Sequence, residues 1–142
     1  MNKKNIILIS KEQTKDYVVF HNQTSKQDCF EYDRMQFTSL DDWGFSLLCT
    51  KGKCAVGHAL DFFVFDSDSS LKKMGKMPKN HDLLKADLDF LAKVVAVESV
   101  DDEMVEISFE LLDCKKEKWD AFLKKYNWKQ DKINYVFDKF RI

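Results

Sequence analysis

The sequence predicts an α+β fold: a single domain, residues 1–142, of mostly antiparallel sheet with two amphipathic helices packed on one face. Three observations predict it. Apolar residues alternate at period two in several runs up to Phe65, and the period changes to three and four after Pro78. In addition, 142 residues with 44% hydrophobic content fill the core of one ordinary domain.

Ile6 to Ser10 and Lys15 to Phe20 are short β-branched or aromatic runs, and Cys29 to Phe37 alternates as a further strand. His21 to Lys26 is polar and makes the turn between them. Trp43, Phe45, Leu47 and Cys49 then alternate up to Lys51-Gly52, and Cys54, Val56, His58, Leu60 and Phe62 alternate after it. A two-residue loop at Lys51-Gly52 predicts a hairpin in which Cys49 faces Cys54, Leu47 faces Val56, Phe45 faces His58 and Trp43 faces Leu60. Its second arm runs from Lys53 to Phe65, with Gly57 a candidate bulge. Asp66 to Lys79 is polar and reads as an exposed loop.

Asn80 is placed to cap a helix in which Leu84, Leu88, Leu91 and Val95 form a stripe widened by Leu83 and Phe90, ending near Ala92. Val94 to Val100 is β-branched and starts a second hairpin. A three-residue loop, Asp101 to Glu103, sets Val97 against Ile107, Val95 against Phe109 and Glu98 against Glu106; a two-residue loop would set Val97 against Glu106 instead. Asp113 is expected to cap a second helix whose Trp119, Phe122, Leu123 and Tyr126 fall on one stripe, with Lys124 and Lys125 beside the negative end of its dipole. Ile133, Tyr135 and Phe137 suggest a closing strand.

A formal net charge of −1 conceals segregation. Residues 82–113 hold ten acids against Lys85 and Lys93, a net of −8, whereas residues 114–142 hold nine basic residues against four acids, a net of +5. Only Arg34 and Arg141 are arginine, and a lysine-dominated surface lacks the bidentate fork favoured for reading bases, so nucleic acid is not the expected partner. Ile6 to Ile9 is too short for a secretory signal or a membrane span. The expected compartment is the cytoplasm, where the four cysteines stay reduced, and no membrane partner is expected.

Several patterns bear on chemistry. Cys49, Cys54 and His58 have the look of a metal knuckle, but on an extended strand Cys54 and His58 lie roughly 13 Å apart, too far to share an ion. No metal or cofactor is therefore expected, and a Cys49–Cys54 bridge is the easier geometry. His21, His58 and His81 are the histidines available to a thiol nucleophile, with nothing in the sequence to place them there. Phe62-Phe63-Val64-Phe65-Asp66-Ser67-Asp68-Ser69-Ser70-Leu71 sets four apolar residues before an Asp-x-Asp. This ten-residue segment resembles the nucleophile motif of haloacid-dehalogenase-type phosphotransferases, with Ser69 where glycine is usual. The resemblance implies a parallel-sheet core, bound magnesium, Asp66 attacking phosphorus and Asp68 as acid/base, with Asp101-Asp102 imitating the later acidic motif. A small magnesium-dependent hydrolase or phosphotransferase is thus the alternative function.

The preferred expectation is a protein-binding module that recognises and blocks a basic partner protein. Its size and charge style resemble those of bacterial immunity proteins, a likeness of class without a shared motif. Glu98, Asp101, Asp102, Glu103 and Glu106 are the expected partner-binding residues, offering carboxylates to lysines or arginines.

Overall fold

The structure is a computed structural model and describes residues 7–9, 16–30, 35–66 and 80–126. Eight strands, β1 (Ile7–Leu8), β2 (Asp16–Asn22), β3 (Gln27–Cys29), β4 (Gln36–Leu40), β5 (Gly44–Thr50), β6 (Ala59–Asp66), β7 (Leu88–Ser99) and β8 (Met104–Asp113), form one sheet. A 3-10 turn, Asn80–Lys85, precedes β7, and α1 (116–126), the one α-helix among the described residues, follows β8. The order across the sheet is β1-β4-β5-β8-β7-β6-β2-β3, and every pairing is antiparallel. Among the described residues the sheet stays open, with β1 and β3 at its edges. The expected closing strand at Ile133–Phe137, the acidic Asp68 and the loop up to Lys79 lie outside the described residues.

The first hairpin departs from expectation. β5 and β6 are not neighbours, because β8 and β7 lie between them. Cys49 faces Val105, Leu47 faces Ile107 and Phe45 faces Phe109, while Leu60 and Phe62 face Ala92 and Phe90. Alternation identified the face for Phe45, Leu47, Cys49, Leu60 and Phe62, which all enter the same core, but not for Trp43 and Val56, which are exposed. It said nothing about which strand stands beside which. The segment 51–58 is a connection across the sheet, in which Gly52 and Gly57 both take positive φ. Gly57 is therefore a turn residue and not a bulge, and its amide donates to the Val94 carbonyl (2.9 Å).

The first expected helix is also absent among the described residues. Leu88, Phe90, Ala92 and Val94 alternate into the core as a strand, and Leu84 of the supposed stripe is 99% exposed. Leu88 belongs to both patterns, so the spacing alone was ambiguous, and long-range pairing of β7 with β6 and β8 decided it. Only the short 3-10 turn remains at Asn80.

The second hairpin has the expected register: Val97 faces Ile107 and Glu98 faces Glu106. The Val100 amide donates to the Met104 carbonyl (3.0 Å), closing a loop over Asp101–Glu103. A register shift between Val94 and Ala96 sets Val94, in place of Val95, against Phe109.

In α1, Trp119, Phe122, Leu123 and Tyr126 are buried as the stripe requires. Asp113 does not cap it, because that residue still belongs to β8; the Trp119 amide donates to the Lys115 carbonyl (3.0 Å). The Trp119 indole donates to the Asp41 carbonyl (2.9 Å), fixing the helix to the turn before β5. That turn is held by the Asp41 carboxylate, which accepts the amides of Trp43 (2.7 Å) and Gly44 (2.8 Å). A Cβ on Gly44 would stand 2.0 Å from the Phe109 carbonyl oxygen, so close pairing of β5 with β8 requires glycine there.

Candidate functional site

Between Val94 and Asp113 the sequence contains Glu98, Asp101, Asp102, Glu103, Glu106, Glu110 and Asp113 and no basic residue. The fold turns this stretch into the far end of the β7–β8 hairpin. β6 accompanies β7 only from Leu88 to Lys93, whereas β8 continues beside it to Ser99. Consequently residues 95–103 are all exposed.

Glu98 and Glu106 are direct cross-strand partners, an arrangement in which like charges repel and each gains from a nearby cation. Asp101 has a structural part as well. Its Oδ1 accepts the amides of Glu103 and Met104, both at 2.8 Å, and these bonds hold its carboxyl below the usual carboxylate range. Asp102 and Glu103 complete the exposed tip, and the Glu103 carbonyl accepts the Lys51 amide (2.8 Å), joining the loop to the end of β5. All five residues expected from sequence thus lie on one hairpin end.

Asp66 has a different setting. It ends β6, where its Oδ2 accepts from Lys125 Nζ (2.6 Å) and its amide donates to Asp87 (2.6 Å). Lys125 also donates to Asp16 Oδ1 (2.7 Å), and the Tyr126 hydroxyl donates to Asp16 Oδ2 (2.6 Å). Burial alone would lower the Lys125 pKa, but the charges and hydrogen bonds of Asp16 and Asp66 outweigh it and hold it above the usual lysine value. Burial and then the Asp16 charge push the Tyr126 hydroxyl up. The group fastens α1 to β2 and β6. Because the described sheet is wholly antiparallel, the parallel core implied by the phosphotransferase resemblance is not this fold.

The cysteine patterns do not assemble either. No disulfide joins the four cysteines, and Cys49 and Cys54 do not face each other. Burial, reinforced by Cys29, raises the Cys54 thiol to about 11, and burial with Asp89 and Asp113 raises Cys114 to about 11. Protonated thiols of this kind are poor nucleophiles. His58 is tied down: its Nδ1 accepts from the buried Asn22 side chain (3.0 Å) and from the Ala55 amide (3.2 Å). His21 pairs with Asp28 (2.6 Å) across the β2–β3 hairpin. Among the described residues no set of three His, Cys, Asp or Glu side chains is arranged to hold a metal ion.

Sequence reasoning missed a second feature. Trp43, expected in the core, is 69% exposed and stands over a cleft of about 630 Å³ whose walls include Ser39, Asp41, Val95 and Glu110. The signal was the Asp41–Gly44 turn, which ends the alternation one residue before Phe45. Among the described residues no helix is long and apolar enough to cross a membrane.

These features define an open, antiparallel α+β domain with an acidic, projecting hairpin. No family model matches the sequence, and no curated protein matches it. Among solved structures, the fold is similar to that of the Bacillus subtilis inhibitor of motility MotI/DgrA, with a TM-score of 0.51 and 12% identity over 94% of this chain. It is also similar to MrkH of K. pneumonia, solved as a complex with c-di-GMP, with a TM-score of 0.50 and 10% identity over 93% of this chain. The chain spans 55% of the length of each of these proteins, and at such identities the likeness is one of fold.

Proposed function

We propose that the chain is a small cytoplasmic regulatory module that binds and inhibits another protein, with Glu98, Asp101, Asp102, Glu103 and Glu106 meeting a basic surface on that partner. The observation carrying this reading is the hairpin end: exposed at every residue from 95 to 103, and acidic without a single basic residue from Val94 to Asp113. Carboxylates so concentrated accelerate encounter with a cationic surface and penalise an anionic one. A fold similar to that of a protein described as an inhibitor of motility agrees with an inhibitory role. Reversing charge with Asp101→Lys and Asp102→Lys is expected to weaken partner binding by about tenfold or more and to flatten its salt dependence. Pull-down with mass spectrometry identifies the partner, and titration at two salt concentrations makes the comparison. Unchanged affinity would remove these residues from the interface.

A second reading is binding of c-di-GMP, the ligand in the MrkH structure. The exposed Trp43 favours it, since a guanine base stacks on such a ring. The carboxylates of Asp41 and Glu110 in the same cleft oppose it, because they repel phosphates. Millimolar c-di-GMP is expected to leave the tryptophan fluorescence unchanged; saturable quenching that disappears in Trp43→Ala would establish the nucleotide reading instead.

A further inference from the structure

The β7–β8 hairpin end has an open side. β6 pairs with β7 as far as Lys93, and the Gly57 amide and His58 carbonyl bond Val94, but among the described residues no strand accompanies β7 from Val95 to Ser99 on that side. All five residues are exposed. Natural sheets usually protect such an edge with lysine, proline or a covering segment. Here the sequence is Val95-Ala96-Val97-Glu98-Ser99, with neither lysine nor proline, and among the described residues the register shift before Ala96 and the charge of Glu98 are what guard it.

The direction of the main-chain groups follows from the bonds at the tip. Val100 donates to the Met104 carbonyl, so it faces β8. Strand alternation then turns Glu98 and Ala96 toward β8 and Val97 and Ser99 toward the open side. β8 agrees, because the Glu103 carbonyl and the Leu111 amide bond Lys51 and Trp43 at the β5 side, leaving the even-numbered residues for β7. The amides and carbonyls of Val97 and Ser99 therefore point outward at the two-residue spacing of an extended peptide.

We propose that this edge of β7 docks an extended, lysine- or arginine-bearing segment of a partner protein, which adds to the sheet as a further strand through Val97 and Ser99. The inference rests on reading the hairpin as a protein-binding surface and specifies how the partner is held. Charge selects the occupant. A side chain beside Glu98 on the added strand joins a row that already contains Glu106, and a cation there relieves the repulsion between the two. A second copy of this chain would bring its own acidic edge to the same place, so self-pairing is disfavoured.

The probe is a blocked Lys-Val-Lys-Val-Lys-Val peptide, alongside a version N-methylated at alternate amides. Amide exchange at Val97 and Ser99, followed by NMR, is expected to slow by about tenfold or more with the first peptide and not with the second. Val97→Pro removes an outward amide without removing a bond to β8, and it is expected to abolish the protection. If that variant does not fold, the N-methylated peptide carries the comparison. No protection at millimolar peptide overturns the inference, as does equal binding of both peptides, which would mean attraction by charge alone. Protection without peptide that grows with protein concentration would make a second copy the occupant and overturn it too. If Asp101→Lys with Asp102→Lys weakens peptide binding while Val97→Pro does not, strand addition falls and the acidic-surface reading stands. Protection that survives charge reversal and fails only with the proline supports strand addition and removes Asp101 and Asp102 from recognition, leaving Glu98 and Glu106 as the selecting charges.

Discussion

Phe45→Ala is expected to destabilise the protein by about 3–5 kcal/mol, read as a lower midpoint in urea denaturation. Phe45, in β5, is 3% exposed and lies where rings from four other strands and the helix converge. Its ring stacks on Phe109 at 4.7 Å between centroids and meets Phe37, Phe62 and Phe90 edge-on at 5.5, 5.1 and 5.3 Å. Trp119 closes the group from the helix at 6.0 Å. Removing the ring loses its transfer free energy and leaves a cavity whose walls are themselves rigid aromatics, so little collapse can fill it. Leu84→Ala, at an exposed site in the 3-10 turn, serves as control and should change stability by no more than about 0.5 kcal/mol. A loss below about 1.5 kcal/mol for Phe45→Ala would contradict the packing described.

The second large effect is expected at Lys125. Lys125→Met leaves the Asp16 carboxylate, whose side chain is 1% exposed, with the Tyr126 hydroxyl as its remaining partner in that group. An uncompensated buried carboxylate makes the loss about 3–5 kcal/mol, whereas Lys125→Met combined with Asp16→Asn should recover much of it, because removing both charges is far less costly than removing one. The pH dependence has a definite sign. A lysine whose folded pKa is raised contributes stability in full below its unfolded pKa and loses it as pH rises through the folded one. The parent protein should therefore lose stability in the alkaline range above the ordinary lysine pKa, and Lys125→Met should lack that component of the loss. Parallel stability profiles of the two proteins through that range would refute the assignment.

How much of this was legible in the sequence depends on the separation of the residues involved. The β7–β8 tip was readable because three loop residues and the pairing of Val97 with Ile107 are decided within a few positions. The α1 stripe was readable for the same reason. The partners of β5 and β6 were not, since each pairs with a strand far along the chain and alternation reports only a face. The first half of β7 was misread as a helix because Leu84, Leu88, Leu91 and Val95 fit a helical stripe by spacing, while Phe90, Ala92 and Val94 fit a strand; local pattern offers no arbiter between them. The acidic residues of the candidate site were visible in composition alone. The open edge beside them depends on where β6 stops, which is a property of the whole sheet.

The placement of β8 between β5 and β7 has a consequence in time. During synthesis β5 finds β4 at once, but the slot on its other side waits for β8: Thr50 pairs with Met104, 54 residues later. At ordinary elongation rates that interval is roughly 3 to 11 s. Throughout it Phe45, Leu47 and Cys49 emerge from the ribosome with half of their cover unmade. The nascent chain is therefore most vulnerable to wrong partners between the synthesis of β5 and that of β8, and the arrival of the acidic hairpin ends that interval.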